Sequence, residues 1–164
     1  MSTIQYISTR DTDNRVTASQ AILKGIAEDG GLYVPTALPE VTLDWEVLKT
    51  QSYQEIAIEI LSAFLTDFTK EEITDCVHSA YDTTFDTKEI APVKKVGSRH
   101  FIELFHGRTI AFKDMALSIL PYLLTTAAKK NKSDKEIVIL TATSGDTGKA
   151  ALAGFADVHH TNII

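Results

Sequence analysis

The sequence has one cysteine, Cys76, no excess of basic residues and no long apolar run. A single cysteine cannot form a disulfide within the chain, and it excludes a zinc site built from cysteines. The net charge of −6, with no Lys/Arg cluster longer than a pair, argues against a nucleic-acid surface. The polar N-terminus lacks a signal peptide, and no run approaches the ~20 apolar residues of a membrane span. We therefore expect a cytoplasmic protein that binds neither nucleic acid nor membrane.

What is present is the ordinary composition of a globular protein, with 44% apolar and 23% charged residues among 164. The chain stops at TNII, where a new apolar run has barely begun, so we expect the N-terminal fragment of a longer protein. Near residue 92 the sequence pattern changes from mainly helical to alternating strands and helices. We accordingly divide the chain into an N-terminal domain, residues 1–91, and the first part of a second domain, residues 92–164.

The N-terminal domain is predicted to be small and mostly helical. Three helix starts carry the pattern of a capping box, in which two side chains satisfy unpaired backbone amides: Thr17 with Gln20, Ser52 with Glu55, and Thr69 with Glu72. LYVP, residues 32–35, is predicted to be extended because Pro35 disfavours helix at the residue before it. We expect Trp45 to anchor the core and Cys76 to fill a small apolar space.

Residues 92–164 are predicted to begin an incomplete α/β domain with a parallel sheet. VKKV and HFIELF read as two strands around a turn at Gly97-Ser98. MALSILPYLLTTAAKK reads as an apolar helix that Pro121 should kink or break. EIVIL is a buried-type strand, SGDTG a turn and KAALAGFAD a helix, and this alternation favours parallel strands.

The loop TATSGDTG does not fit a nucleotide-binding pattern. A Walker A loop would need glycine where Thr143 stands and a hydroxyl where Ala150 stands, and the Rossmann pattern lacks the same first glycine. The interpretation as a general anion site is still possible, because the positive end of the helix and its unpaired amides lie where the strand leads into the helix. A capped strand–helix turn without a ligand is the equally favoured alternative.

Within this loop, the residue types suit an anion with one exception. Gly145 and Gly148 would let the backbone approach a ligand, and Ser144 and Thr147 add hydroxyl donors. Asp146 would repel an anion, so it is better suited to capping the helix or to facing a cation or hydroxyl group.

Lys113 lies in HGRTIAFKDMAL, between an apolar pair and an apolar helix. Burial of a lysine lowers its pKa and makes the free amine available as a nucleophile, as Schiff-base chemistry requires. The alternative is a lysine at a helix start with its ammonium in water, paired with Asp114. Local pattern alone favours this alternative.

Three motifs resemble the threonine synthases, a family of fold-type II pyridoxal-phosphate enzymes. ELFHGRTIAFKDMAL resembles the segment that carries the cofactor lysine, and TATSGDTG resembles the loop that follows it. YISTRD…VTASQAILKGIAEDGGLYVP resembles the N-terminal domain of the family. The similarity covers nearly the whole chain in the expected order. Arg108 departs from the proline that many members have at its position, and we assign it no role.

The resemblance implies a cofactor, a reaction and site residues. Lys113 would form a Schiff base with pyridoxal 5′-phosphate and transfer protons, while the parent protein converts O-phosphohomoserine and water to threonine and phosphate. Asp146 would lie near the cofactor's 3′-oxygen, and the substrate carboxylate would be bound by Thr143, Ser144, Gly145 and Thr147. The family's cofactor-phosphate loop and pyridine-nitrogen partner would follow residue 164. We therefore expect the fragment alone to be inactive and to bind no metal. The sequence does not indicate an oligomeric state.

Two other functions stay open, a different pyridoxal-phosphate lyase or β-replacement enzyme and a non-catalytic domain that retains the fold. DGGLYVP favours threonine synthase over the former, and Lys113 within FKD favours an enzyme over the latter. His106 is either a phosphate or ring contact or a structural histidine bonded to backbone. His159 and His160 are expected at the surface.

Overall fold

The computed structural model describes residues 3–41 and 44–164. In chain order its elements are β1 Tyr6–Ser8, β2 Arg15–Val16, α1 Ala18–Lys24, β3 Tyr33–Pro35, α2 Trp45–Leu48, α3 Tyr53–Phe64, α4 Lys70–Ala80, β4 Val93–Val96, β5 Arg99–Ile102, α5 Asp114–Leu117, α6 Leu120–Lys130, β6 Ile137–Ile139, α7 Asp146–Phe155 and β7 Thr161–Ile163. Helices and sheets are thus mixed, as the predicted α/β class requires. No helix in these described ranges is long and apolar enough to cross a membrane.

The three predicted capping boxes are confirmed. Thr17, Ser52 and Thr69 each accept a hydrogen bond from the amide three residues later, and the side chain at that later position bonds back to the cap amide. These bonds satisfy amides that have no carbonyl partner in the first turn of a helix. Short-range side-chain chemistry therefore sets where α1, α3 and α4 begin.

The N-terminal region also contains a sheet that the sequence pattern did not reveal. β1 lies in the centre and pairs antiparallel with β2 on one side and β3 on the other, with Ile7 opposite Val34. β3 corresponds to the predicted extended piece LYVP. Helices still predominate in this region, as predicted, and the sheet flanks them.

The main core is formed by α1, α3, α4 and α6. Ile73, Val77 and Ala127 are at most 1% exposed, and Ile119 and Leu123 join the same cluster. The core therefore draws residues from both sides of position 91. The domain boundary at that position stays a prediction.

Burial was predicted for two residues of the N-terminal region, correctly for Cys76 and wrongly for Trp45. Cys76 is buried, with its Sγ 3.6 Å from the Thr126 hydroxyl, which agrees with a small space-filling role. The prediction for Trp45 was wrong, because its side chain is 69% exposed. It begins the single-turn helix α2, none of whose four residues is buried.

The second half of the chain follows the predicted order, with two differences of length and the predicted break in the apolar helix. β5 ends at Ile102 and not at residue 105, because its partner β4 follows Pro92, which has no N–H to extend the ladder. The long apolar helix is broken into α5 and α6, with Pro121 in the first turn of α6, as predicted. α7 begins at Asp146, three residues before the predicted KAALAGFAD helix.

The predicted parallel pair is present. β6 and β7 lie side by side in parallel, with Val138 opposite Asn162, and α7 connects them. His159 and His160 lie in the exposed turn before β7, as expected. TATSGDTG forms the loop between β6 and α7 and the first turn of α7, so the strand–turn–helix context predicted for it is confirmed.

Candidate active site

Lys113 precedes α5 and faces a cleft of about 630 Å³. The residue is half-buried, and its Nζ lies 4.3 Å from the centroid of the Phe112 ring. The cleft has mainly apolar walls, which are formed with Lys113 by Tyr53, Ala91, Leu104, Phe112, Met115, Ala116, Leu117 and Thr147. The lysine thus lies between the two extremes considered from sequence, a buried amine and a fully solvated one.

The neighbour of Lys113 in sequence, Asp114, holds the loop that leads into the lysine. Its carboxylate accepts the backbone N–H of Thr109 at 2.7 Å and the Thr109 hydroxyl at 2.6 Å. A Cβ built on Gly107 would lie 2.5 Å from the Asp114 Cβ, so only glycine allows the loop to pass this close. The Asp114 carboxylate is therefore bonded to Thr109 and not to Lys113, contrary to the alternative considered from the sequence.

Two hydrogen bonds join this loop to α7, and close backbone packing joins α5 to the same helix. The Lys149 ammonium donates to the carbonyl of Thr109 at 3.0 Å, and Arg108 donates to the carbonyl of Ala153 at 3.2 Å. A Cβ on Gly154 would lie 2.3 Å from the carbonyl oxygen of Leu117, so α5 and α7 pack with backbone against backbone. The two motifs of the sequence, FKD and SGDTG, are brought together by these contacts.

The TATSGDTG loop is shaped by one of its own hydroxyls. Thr143 Oγ1 accepts the amide of Gly145 at 3.2 Å and that of Gly148 at 2.9 Å, so Thr143 caps α7. Gly145 has φ +142°, a conformation that favours glycine. The capping role considered for Asp146 is therefore filled by Thr143.

The predicted site residues fall into two groups in the structure. Lys113 and Thr147 line the same cleft. Thr143, Ser144, Gly145 and Asp146 are exposed in the loop beside it and are not part of the cleft wall. Asp146 starts α7, where a carboxylate interacts favourably with the positive end of the helix. The ligand roles given to these residues stay predictions.

His106 connects the lysine loop to the preceding segment of the chain. One ring nitrogen contacts the carboxylate of Asp86 at 2.5 Å and the other that of Glu103 at 3.0 Å. The hydrogen bond to Glu103, followed by that to Asp86, raises the pKa of His106 above its ordinary value. Since both nitrogens are occupied, the structure supports the structural role, through carboxylates instead of backbone acceptors.

Sequence reasoning missed Thr109 and Lys149 and gave Arg108 no role. Thr109 is 6% exposed and Asp114 3%. The one local signal available in the sequence was an acidic residue directly after the candidate lysine. The contact of Lys149 with Thr109 spans 40 residues of sequence and left no local pattern. In the part of the chain that the structure describes, no three His, Cys, Asp or Glu side chains are grouped to hold a metal ion.

Comparison with known proteins identifies similar chains. Residues 5–81 match the family model described as threonine synthase N terminus. A threonine synthase of Schizosaccharomyces pombe is 37% identical over 163 residues, covering 93% of this chain and 32% of that protein. One of Pseudomonas aeruginosa is 37% identical over 157 residues, covering 92% and 32%. The chain thus spans about a third of the length of the curated relatives it matches.

The fold is also similar to that of a solved structure. The X-ray crystal structure of PLP-bound threonine synthase from Brucella melitensis matches with a TM-score of 0.89 and 34% identity. The match covers 98% of this chain and 34% of that one. Sequence and structure comparisons therefore point to the same group of proteins.

Proposed function

We propose that this chain is the N-terminal part of a threonine synthase and that it carries the lysine of a pyridoxal-phosphate enzyme. The match of residues 5–81 to the threonine synthase N terminus, and the similar chains and structure that it matches over about a third of their length, support this proposal. The whole protein would convert O-phosphohomoserine and water to threonine and phosphate. The observation that carries this proposal is that Lys113 and Thr147, one from each motif, line the same cleft.

The residues around the cleft fit the cofactor in size and chemistry. About 630 Å³ lies within the ~300–1,000 Å³ range of small-molecule sites, and the apolar walls suit an aromatic ring. An amine is present to attach it, next to the ring of Phe112. We assign the groups that hold the cofactor's phosphate and ring nitrogen to the two-thirds of the family's length outside this chain.

Each residue then has a defined task. Bound pyridoxal phosphate supplies an electron sink for carbanions on the substrate. The Lys113 amine moves protons at the α- and β-carbons, and the contact with Phe112 orients its side chain. The amides of Asp146 and Thr147 at the start of α7, with the Thr147 and Ser144 hydroxyls, hold the substrate carboxylate at the positive helix end.

Thr143 and Asp146 take narrower roles in this proposal. Thr143 Oγ1 already accepts two amides, so its hydrogen remains to donate to the carboxylate, and its main effect is to set the loop shape. Asp146 would meet the cofactor's 3′-oxygen only by sharing a proton with it, because an ionised carboxylate cannot donate a hydrogen bond.

Reductive trapping tests the lysine assignment directly. The 164-residue chain is incubated with pyridoxal phosphate, reduced with borohydride, and mapped by peptide mass spectrometry. We expect pyridoxyl label on Lys113 in excess of label on the exposed Lys132. In Lys113→Ala the label on Lys132 should be unchanged. Equal labelling of Lys113 and Lys132 in the wild-type chain would contradict the proposal.

Turnover separates this function from the two alternatives. We expect no phosphate release from O-phosphohomoserine by the 164-residue chain alone, and Lys113-dependent release by the whole protein. Sustained release by the chain alone would show that it needs no further residues. A whole protein that binds the cofactor but releases no phosphate would point to another lyase. A whole protein that neither binds the cofactor nor releases phosphate would point to a non-catalytic domain.

A further inference from the structure

The contact between Lys149 and Thr109 is a polar link between the two motifs of the candidate site. The Lys149 ammonium lies 3.0 Å from the carbonyl oxygen of Thr109. Lys149 directly follows Gly148 in the first half of α7, and Thr109 lies four residues before Lys113. We call this contact the Lys149–Thr109 bridge.

Thr109 is a rigid point of attachment for the bridge. Its N–H and hydroxyl both bond to the buried carboxylate of Asp114, and its carbonyl accepts Lys149. All of its polar atoms are therefore engaged. Thr109 thus links Lys149 to Asp114, the residue that directly follows Lys113.

On the other side of the bridge, Lys149 lies two residues after Thr147, a candidate substrate-binding residue. Gly148 donates its amide to Thr143, and Thr147 lines the cleft one residue earlier. The bridge therefore connects the peptide segment that carries Lys113 to the helix start that carries Thr147. Hydrogen bonds with a charged donor are stronger than neutral ones, which suits this purpose.

From this geometry we infer that Lys149 is a positioning residue, which keeps the Lys113 amine in the cleft beside Thr147. The inference deepens the proposed function and rests on it. Lys149 does not touch the reacting atoms in this assignment. Its effect on Lys113 passes through the carbonyl of Thr109 and the carboxylate of Asp114.

Competitive acetylation tests the inference without the cofactor. Trace acetic anhydride is added to the 164-residue chain, and the label on Lys113 is measured relative to the exposed Lys132. Lys149→Met removes the donor and keeps the side-chain length, and methionine is a good helix former. Lys149→Arg keeps a charged donor, and Lys135→Met removes an exposed charge elsewhere.

We expect Lys149→Met to raise the Lys113 to Lys132 ratio on the order of fivefold, as for loss of one charge-assisted hydrogen bond that closes the loop. Lys149→Arg and Lys135→Met should leave the ratio at the wild-type value. An unchanged or lower ratio in Lys149→Met overturns the inference. An equal rise in Lys135→Met also overturns it, since the effect would then be one of charge alone.

The same variants separate this inference from the proposed function. In reductive trapping with pyridoxal phosphate, Lys149→Met should lose the preference for Lys113, and Lys149→Arg should recover it. If the wild-type chain shows no preference, the proposed function fails. The acetylation ratio then still decides whether the bridge positions Lys113.

Discussion

The carboxylate of Asp114 accepts both the backbone N–H and the hydroxyl of Thr109, and both residues are buried. A buried carboxylate is costly unless its oxygens are hydrogen-bonded. This pair fixes the loop from Gly107 to Lys113 before any ligand arrives. The loop is therefore preorganised by a residue adjacent to the proposed catalytic lysine.

Thr109→Val tests this pair, since it removes the hydroxyl and leaves one oxygen of the Asp114 carboxylate without its partner. We expect the free energy of unfolding to fall by about 1–3 kcal/mol. Thr109→Ser is the matched control, because it keeps the hydroxyl and loses only a methyl group, worth about 0.8 kcal/mol. Urea unfolding followed by circular dichroism measures both. Equal losses in the two variants would show that the hydroxyl bond is unimportant.

Gly154→Ala tests the close packing of α7 on α5. Alanine is the better helix former by about 1 kcal/mol, so propensity alone predicts a gain in stability. The new Cβ would however meet the backbone carbonyl of Leu117 at 2.3 Å, and we expect a net loss of about 1–3 kcal/mol.

The matched control for this change is Gly148→Ala in the same helix. There the new Cβ would meet the Thr143 hydroxyl at 2.7 Å, a side-chain atom that can move aside at the expense of its hydrogen bonds. Unfolding curves should rank Gly154→Ala as the less stable variant. A stabilised Gly154→Ala protein would contradict the packing described for these helices.

His106 should make stability depend on pH. Hydrogen bonds to Glu103 and then to Asp86 raise the pKa of His106 in the folded state. The resulting stabilisation is fully present below the unfolded-state pKa of about 6.5 and is lost as the pH rises through the higher folded-state pKa.

The measurement is the free energy of unfolding of wild type and His106→Gln at several pH values from below 6.5 upward. The other histidines are the same in both proteins, so their titration cancels in the difference. We expect the wild-type advantage to shrink as the pH rises. A difference that is constant or grows with pH would contradict the assignment.

Glu72 acts in two interactions that can be separated. Its carboxylate accepts the Thr69 amide at 2.8 Å in a capping box and the Lys130 ammonium at 2.9 Å, which joins α4 to α6. Burial acts to raise the pKa of Glu72, but the hydrogen bonds from Lys130 and Thr69 outweigh it and hold the pKa below its usual value. This stabilisation is present above about pH 4.3 and is lost as the pH falls through the depressed pKa.

Glu72→Gln keeps the capping pattern and removes the ion pair, so we expect a loss of about 0.5–1 kcal/mol. Glu72→Ala removes both, and we expect about 1 kcal/mol more. Thermal unfolding of the two variants at neutral pH gives the difference. Identical losses would mean that the capping box contributes nothing at this helix.

The features predicted from sequence were those with determinants close together in the chain. Capping boxes join residues three apart, and the apolar helix is broken just before Pro121, which lies in the first turn of α6. The order of β6, α7 and β7 follows from apolar runs and turn residues. Lys113 and TATSGDTG were found because each lies in a continuous motif.

The missed features depend on contacts between distant residues. β1 becomes a strand because β2 and β3 lie on both sides of it. Trp45 reads as a core residue by type, yet no residue of its single-turn helix is buried. The partner of Lys149 is 40 residues away, and nothing in either local sequence indicates the contact.

The core shared by the N-terminal helices and α6 has a consequence for synthesis of the chain. The side chain of Asn131 donates to the Ser19 hydroxyl across 112 residues, and Leu123 and Ala127 pack in the same cluster as Ile73 and Val77. A ribosome adding about 5–20 residues per second needs roughly 2–8 s to pass from residue 91 to residue 131. During that interval α1 and α4 lack the helix that covers their apolar faces, and these faces are open to chaperones and proteases.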